Sequence, residues 1–409
     1  MSLYFNYLKK FGFLKFLIII LSLGFFIFEI IYNLHVTEFQ QFSLLADSFL
    51  QGKFYFTQVY SSWWHDAVTF NGYNYWPQGP LPAVILMPFV LVFKGLNLFF
   101  YQGYLQIFLN IGVYFLVYKI SKKFGYNSTD SLFFAFAFSF ASAFMGVSFW
   151  PTGWFFAQVV ATFFVFFALN EYFTKGRLWI IGILFGLVFL TRITAAFGLF
   201  FIIWNIVFNK NLRLGKKIRS FLTVIISITP FVLLFGIYNY SRFGNFFDQG
   251  YMLQSIAGNL SVAKDNGLFS LVHIPGNIYY FLVAGPIPIF GDTSSHVLTF
   301  PFLKADPWGL GLIFTSPYLI YLLFLSYKDK FSMRIILTIL TIAIPVFSYY
   351  GIGWYQFGYR YSLDFLPLIF ILFMRNYRLK YGNLSLGLKL AITFSAIFNY
   401  YLFSSIFGI

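Results

Sequence analysis

Uncharged apolar runs recur along the whole chain, and they restrict its fold more than any motif does. Phe16–Phe28, Phe133–Phe144, Val159–Leu169 and Ile335–Phe347 carry no charge and are broken only by Ser, Thr, Gly or Pro. Most lie in longer stretches of the roughly 20 residues a helix needs to cross a bilayer. With 60% hydrophobic and 10% charged residues, 63 of them Phe, the chain holds more apolar surface than a soluble core could hide. The runs are nearly continuous, whereas barrel strands alternate apolar and polar positions. The expected fold is an all-α polytopic transmembrane helical bundle, a single integral domain over residues 1–409.

Charge sets the expected topology. The net charge of +15 comes from 27 Lys and Arg against 12 acids. The basic residues fall mostly in short clusters between apolar runs, the bias of cytoplasmic loops facing anionic membrane lipids, so nucleic acid is excluded as a partner. The clusters are Lys119–Lys123, Lys175–Arg177, Lys210–Arg219, Lys328–Arg334 and Arg375–Lys380. Lys9, Lys10 and Lys15 precede the first apolar run, and no small-residue cleavage site follows it. That run therefore reads as an uncleaved span in the cell membrane with a cytoplasmic N-terminus. Alternating from there gives about eleven crossings. Residues 81–93 dip into the membrane rather than cross it, because a second crossing would put Lys119–Lys123 outside. Residues 179–208 form a hairpin of two short helices bending near Thr191-Arg192. The first outer loop is then 35–82 and the long outer loop 239–307, so the active face is extracytoplasmic. The chain has no cysteine and hence no disulfide.

The outer segments hold all four His, most of the acids and the Arg residues outside the basic clusters. Thr37-Glu38-Phe39-Gln40 fits a helix start, with Thr37 as N-cap and Gln40 at the capping-box position. A helix continuing from there puts Glu38, Phe42, Leu45 and Phe49 on one stripe. Glu38 is either an active-site carboxylate or a charge favoured by the helix dipole. Asp47 falls about half a turn away and reads as solvated or supporting. His65-Asp66 follows Trp63-Trp64, and these aromatics suit the membrane interface or a sugar ring. One His beside one Asp falls short of the three or four ligands of a metal site. Arg192, Arg242 and Arg360 stand apart from the basic clusters. An ionisable group at membrane depth is functional or internally paired. For Arg360 the choices are pairing with Asp364 four residues on, or binding a phosphate, which the planar guanidinium suits. There is no P-loop, HExxH or GxSxG, and no long insertion for a soluble nucleotide-sugar domain. No cofactor is implied.

In their order along the chain, Thr37-Glu38, LLADSFLQGKFYF, FNGYNYWPQGPLPAVILMPF, FGLVFLTRITAAFGLF and GWYQFGYRYSLDFLP resemble the membrane-embedded GT-C glycosyltransferases. The nearest likeness is to bacterial relatives of protein O-mannosyltransferases and aminoarabinose transferases. Many members carry an acidic pair where this chain has Thr37-Glu38, so Glu38 stands alone. The resemblance implies a GT-C-like bundle with outer juxtamembrane helices. It also implies inverting transfer of a hexosyl or pentosyl group from a polyprenyl-phosphate donor to a glycan, lipid or protein acceptor of the cell envelope. In that reading Glu38 is the general base, and Asp47, His65 and Asp66 lie on the acceptor side. Arg360, with Arg242 or Arg192, holds the lipid phosphate. The alternatives are a transporter or flippase of a lipid-linked glycan, or an inactive scaffold subunit.

Overall fold

In the computed structural model, residues 2–58, 66–255, 259–292 and 294–408 are described. The chain begins with α1 (Ser2–His35), α2 (Gln41–Leu50), a short hairpin of β1 (Val68–Phe70) and β2 (Tyr73–Tyr75), and α3 (Leu81–Gly95). The bundle continues through α4 (Gln102–Lys123), α5 (Ser128–Phe140), α6 (Ala143–Phe149), α7 (Gly153–Thr174), α8 (Leu178–Phe189), α9 (Ile193–Ala196), α10 (Leu199–Val207) and α11 (Leu214–Phe243). A long irregular stretch follows, carrying α12 (Asn259–Lys264), α13 (Ile274–Leu282) and the antiparallel hairpin β3 (Ile287–Phe290)–β4 (Leu298–Lys304). The chain closes with α14 (Leu312–Thr315), a 3₁₀ helix Pro317–Phe324, α15 (Lys330–Ser348), a 3₁₀ turn Arg360–Asp364, α16 (Leu366–Tyr381) and α17 (Leu386–Phe407).

Six described helices are long and apolar enough to cross a membrane: Gly12–His35, α4, α7, α11, α15 and α17. The pair α5–α6, bent by 66°, makes a seventh if taken as one span. The protein is thus a multi-pass helical membrane protein, but the expected count of about eleven is not confirmed by helix length. The other expected crossings fall on α8, α9–α10, residues 312–324 and α16. At 1.5 Å per residue the 12 residues of α8 reach only about 18 Å, short of a hydrocarbon core of about 30 Å. The hairpin expected in 179–208 is present as α8 and α9–α10, broken at Leu190–Arg192.

Local sequence explains the packing. Gly182 and Gly186 lie one turn apart on α8, and a Cβ at either would sit within 2.6 Å of α11 side chains. This small-residue face lets α8 and α11 approach closely. Asn127 and Ser385 cap α5 and α17 through Asp130 N and Leu388 N. One apolar cluster runs from Ile18 in α1 to Phe407 in α17.

Polar contacts sort the helix ends into two groups. At one end Gln102, opening α4, donates its backbone N–H to Gln40 Oε1 (2.8 Å) and its Nε2 to Pro151 O (2.5 Å). Gly153 N, opening α7, donates to Gln41 Oε1, and Leu81 N, opening α3, donates to Leu190 O after α8. At the other end the basic clusters meet. Phe124 packs on Phe173 and Phe173 on Phe331, Arg334 donates to Asn205 and Phe208 O, and Arg375 pairs with Asp329 at 3.0 Å. There Lys389 also pairs with a fully buried Asp130 at 2.7 Å. Removing one partner of such a pair strands a charge in low dielectric. We therefore expect Lys389→Met to lower unfolding stability of the purified protein by about 3–5 kcal/mol, with Asp130→Asn in the same chain recovering most of the loss.

Candidate functional site

At the end opposite the basic clusters lies a cavity of about 410 Å³. The α8–α9 break contributes Thr191, Arg192 and Thr194, α7 contributes Trp154, and the stretch after α11 contributes Asp248, Gln249, Tyr251 and Met252. Phe189, Phe197, Phe235, Phe269 and Val346 supply apolar wall, while Tyr349, Tyr361 and Asp364 complete the polar side. A cavity of this size with few converging polar groups is typical of a small-molecule or lipid-headgroup site. Burial pushes the Tyr251 phenol up to about 12 and raises Tyr349 as well. Both remain neutral hydroxyls at ordinary pH.

The polar side is organised by one ion pair. Arg192 Nε and Nη2 donate to Asp364 Oδ1 and Oδ2 at 2.6 and 2.9 Å, and Thr194 Oγ1 donates to the same carboxylate. The planar fork of Arg meets both oxygens at once. Of the two alternatives for Arg360, pairing with Asp364 is therefore not the one formed. Residues 360–364 form a 3₁₀ turn, in which positions i and i+3, not i and i+4, eclipse. Asp364 therefore turns to Arg192, and Arg192 is already neutralised within the protein.

Among the described residues Arg360 has no carboxylate partner. It is 7% exposed, its Nη1 and Nη2 reach only Trp354 O at 3.4 Å and Tyr361 Oη at 3.5 Å, and its Nε has no partner. The guanidinium rests between the Phe155 and Tyr361 rings, each centroid 5.1 Å away. Of these two rings, Tyr361 belongs to the cavity wall and Phe155 follows the wall residue Trp154 in sequence. Arg242 is also buried, at 3% exposure. It donates to Trp76 O and Asn239 Oδ1 at 2.7 Å each, keeps an unpartnered Nε, and stacks 3.8 Å over Tyr238. Among the described residues these two buried cations have spare donors and no carboxylate in ion-pair contact; neither lines the cavity, and they adjoin it through Tyr361 and Tyr251.

The segment expected to form the first outer loop is built differently from expectation. α2 starts at Gln41, not at Glu38, and its N-cap Gln40 makes no side-chain cap bond. Two features break the expected capping box. Phe39 has φ 55°, and Gln40 is committed to Gln102 N and to the carbonyls of Val36 and Glu38. Thr37 is thus no N-cap, and Glu38 lies outside the α2 stripe, exposed in the preceding turn. Glu38 does not line the cavity, although Phe39 O accepts from Gly153 N, the neighbour of Trp154. Asp47 is buried rather than solvated. Lys94 at the end of α3 pairs with it at 2.5 Å, and Gln51 donates to its other oxygen. Asp66, at φ 77°, accepts from Trp154 Nε1 at 3.0 Å and from Gln254, so it braces a residue of the cavity wall. His65 lies outside the described residues.

Sequence reasoning missed Asp248, Thr194, Trp154 and Tyr251. Asp248 is exposed and lines the cavity, with Oδ1 accepting from Gly250 N at 2.7 Å. No local pattern announces it. Among the described residues no three His, Asp or Glu side chains group together.

No family model and no curated protein matches the chain. Among solved structures it is similar to the oligosaccharyltransferase of Archaeoglobus fulgidus tethered with an acceptor peptide containing the NVT sequon. That match has 14% identity and a TM-score of 0.41, and covers 94% of this chain and 54% of the other. It is also similar to archaeal oligosaccharyltransferase AglB from the same organism in complex with an inhibitory peptide and a dolichol-phosphate, with 11% identity, a TM-score of 0.45 and coverage of 94% and 55%. The chain spans about half the length of these proteins.

The Arg192–Asp364 pair gives a direct expectation. Arg192→Lys keeps the charge but loses the two-pronged contact, for a loss of about 1–2 kcal/mol in unfolding stability. Arg192→Gln strands Asp364, for about 3–5 kcal/mol.

Proposed function

We propose that this protein is a membrane glycosyltransferase that moves a sugar from a polyprenyl-phosphate donor to an acceptor hydroxyl at the 410 Å³ cavity. The observation that carries this reading is the pair of buried guanidiniums, Arg360 and Arg242, which have no ion-pair partner among the described residues and stand just outside the lining of a cavity with aromatic and apolar walls, against its Tyr361 and Tyr251. A buried cation lacking a counter-charge is costly, and a ligand phosphate would offset that cost with charge-assisted bonds. The Tyr and Trp faces suit a sugar ring, and the Phe-lined side suits a prenyl chain.

In this reading a base takes the proton from the acceptor hydroxyl, whose oxygen forms a bond to the anomeric carbon from the side opposite the phosphate. The bond from that carbon to the phosphate oxygen breaks, the configuration inverts, and the lipid phosphate leaves with the electron pair. Arg360 and Arg242 stabilise the developing charge on the phosphate oxygens. Glu38 is the base, an exposed residue next to Phe39, whose carbonyl accepts from Gly153 N at the α7 start. Asp248 is the second candidate, because it lines the cavity and Glu38 does not.

Membranes carrying the protein and a labelled polyprenyl-phosphate sugar test the assignment. Glu38→Gln is expected to lower transfer by about 10²–10⁴-fold, the usual contribution of a general base. Transfer that survives Glu38→Gln and falls with Asp248→Asn would move the role to Asp248. Arg360→Ala is expected to weaken binding of polyprenyl phosphate to the purified protein by about tenfold or more, and unchanged binding would remove the phosphate site.

A further inference from the structure

Away from the cavity, α1 and α4 share a polar seam inside the bundle. Glu29 on α1 is 0% exposed and makes no ion pair among the described residues. Its Oε2 accepts from Asn110 Nδ2 on α4 at 2.7 Å, and its Oε1 has no partner. Asn110 Oδ1 and Gln106 Oε1 are also buried without a partner. Gln106 and Asn110 are four residues apart and so face the same way on α4.

Neither amide can simply be turned over. Asn110 Nδ2 is held by Glu29, and flipping it would set oxygen against oxygen. Gln106 Nε2 donates to Asn33 Oδ1, Val147 O and Ser148 O at 3.2, 3.0 and 2.8 Å. Asn33 Nδ2 in turn donates to Glu29 O and Ser148 O. Every unmet group of Glu29, Gln106 and Asn110 is therefore an acceptor oxygen, which a donor or a cation would meet. A proton on Glu29 would serve Oε1 and one amide oxygen. A cation bound by all three would also balance the carboxylate's charge.

We propose that Glu29, Asn110 and Gln106 form a binding site for a monovalent cation, sodium in the first instance. One carboxylate balances one charge, and hard cations favour oxygen ligands. An unpaired ionisable group inside a membrane bundle is a functional site by default. The ion would clamp α1 to α4 just below the junction where Gln102 holds Gln40 and Pro151, and so fix the base of the first outer segment. The site stands independently of the glycosyltransferase reading.

The test is thermal unfolding of the purified full chain in detergent at constant ionic strength, with sodium chloride exchanged for N-methylglucamine chloride. The expected result is a saturable rise in Tm of a few degrees with sodium, lost in Glu29→Gln. Sodium NMR line-broadening on the wild-type protein reads the same site without any substitution, should Glu29→Gln not fold. No sodium effect on Tm or line width in the wild type would overturn the proposal and leave the charge to a proton. An equal effect in Glu29→Gln would place the ion elsewhere and overturn it too.

Discussion

The ion pair between Arg192 and Asp364 organises the functional end of this bundle. It joins the break between α8 and α9 to the turn before α16, elements 172 residues apart in the chain. Asp364 is buried and Arg192 nearly so, and the carboxylate depends on Arg192 and Thr194 for compensation. The pair explains why α8 stops short of a full span: the helix opens where Arg192 turns to its carboxylate. It also explains why Arg360 is free for other work, since the acid nearest to it in sequence is already occupied. The cavity sits directly on this pair.

The polar groups of the protein divide by position. Basic clusters gather at one end, with Asp329, Asp130 and Glu171 as their paired acids. At the other end, amides do the joining. Gln40, Gln41 and Gln102 tie α2, α4 and α7 together through neutral hydrogen bonds, which hold the helix starts without adding charge to the cavity rim. Among the described residues Glu29 is a buried acid without a paired cation, and its companions are amides.

Much of the bundle was legible because hydropathy acts locally. The runs around α1, α4, α7, α11, α15 and α17 appear as helices, and the hairpin at residues 179–208 breaks at Arg192 as its sequence implies. Arg192, Arg242 and Arg360 stood out because a charge between apolar runs is costly wherever it sits. What could not be read is what depends on distant contacts. Asp364 lies four residues from Arg360, and spacing alone favours that pair, yet the 3₁₀ geometry and Arg192 decide otherwise. The capping box at Thr37–Gln40 failed because Gln102, 62 residues on, takes the Gln40 side chain. Asp248 had no signal, since its place on the cavity comes only from the path of the chain after α11.

The most direct measurement is a structure of the protein with a polyprenyl-phosphate ligand bound. The phosphate is expected beside the cavity with its oxygens within hydrogen-bond distance of Arg360 or Arg242, and the Arg192–Asp364 pair intact. A phosphate held elsewhere, with both guanidiniums still unmet, would contradict the central claim.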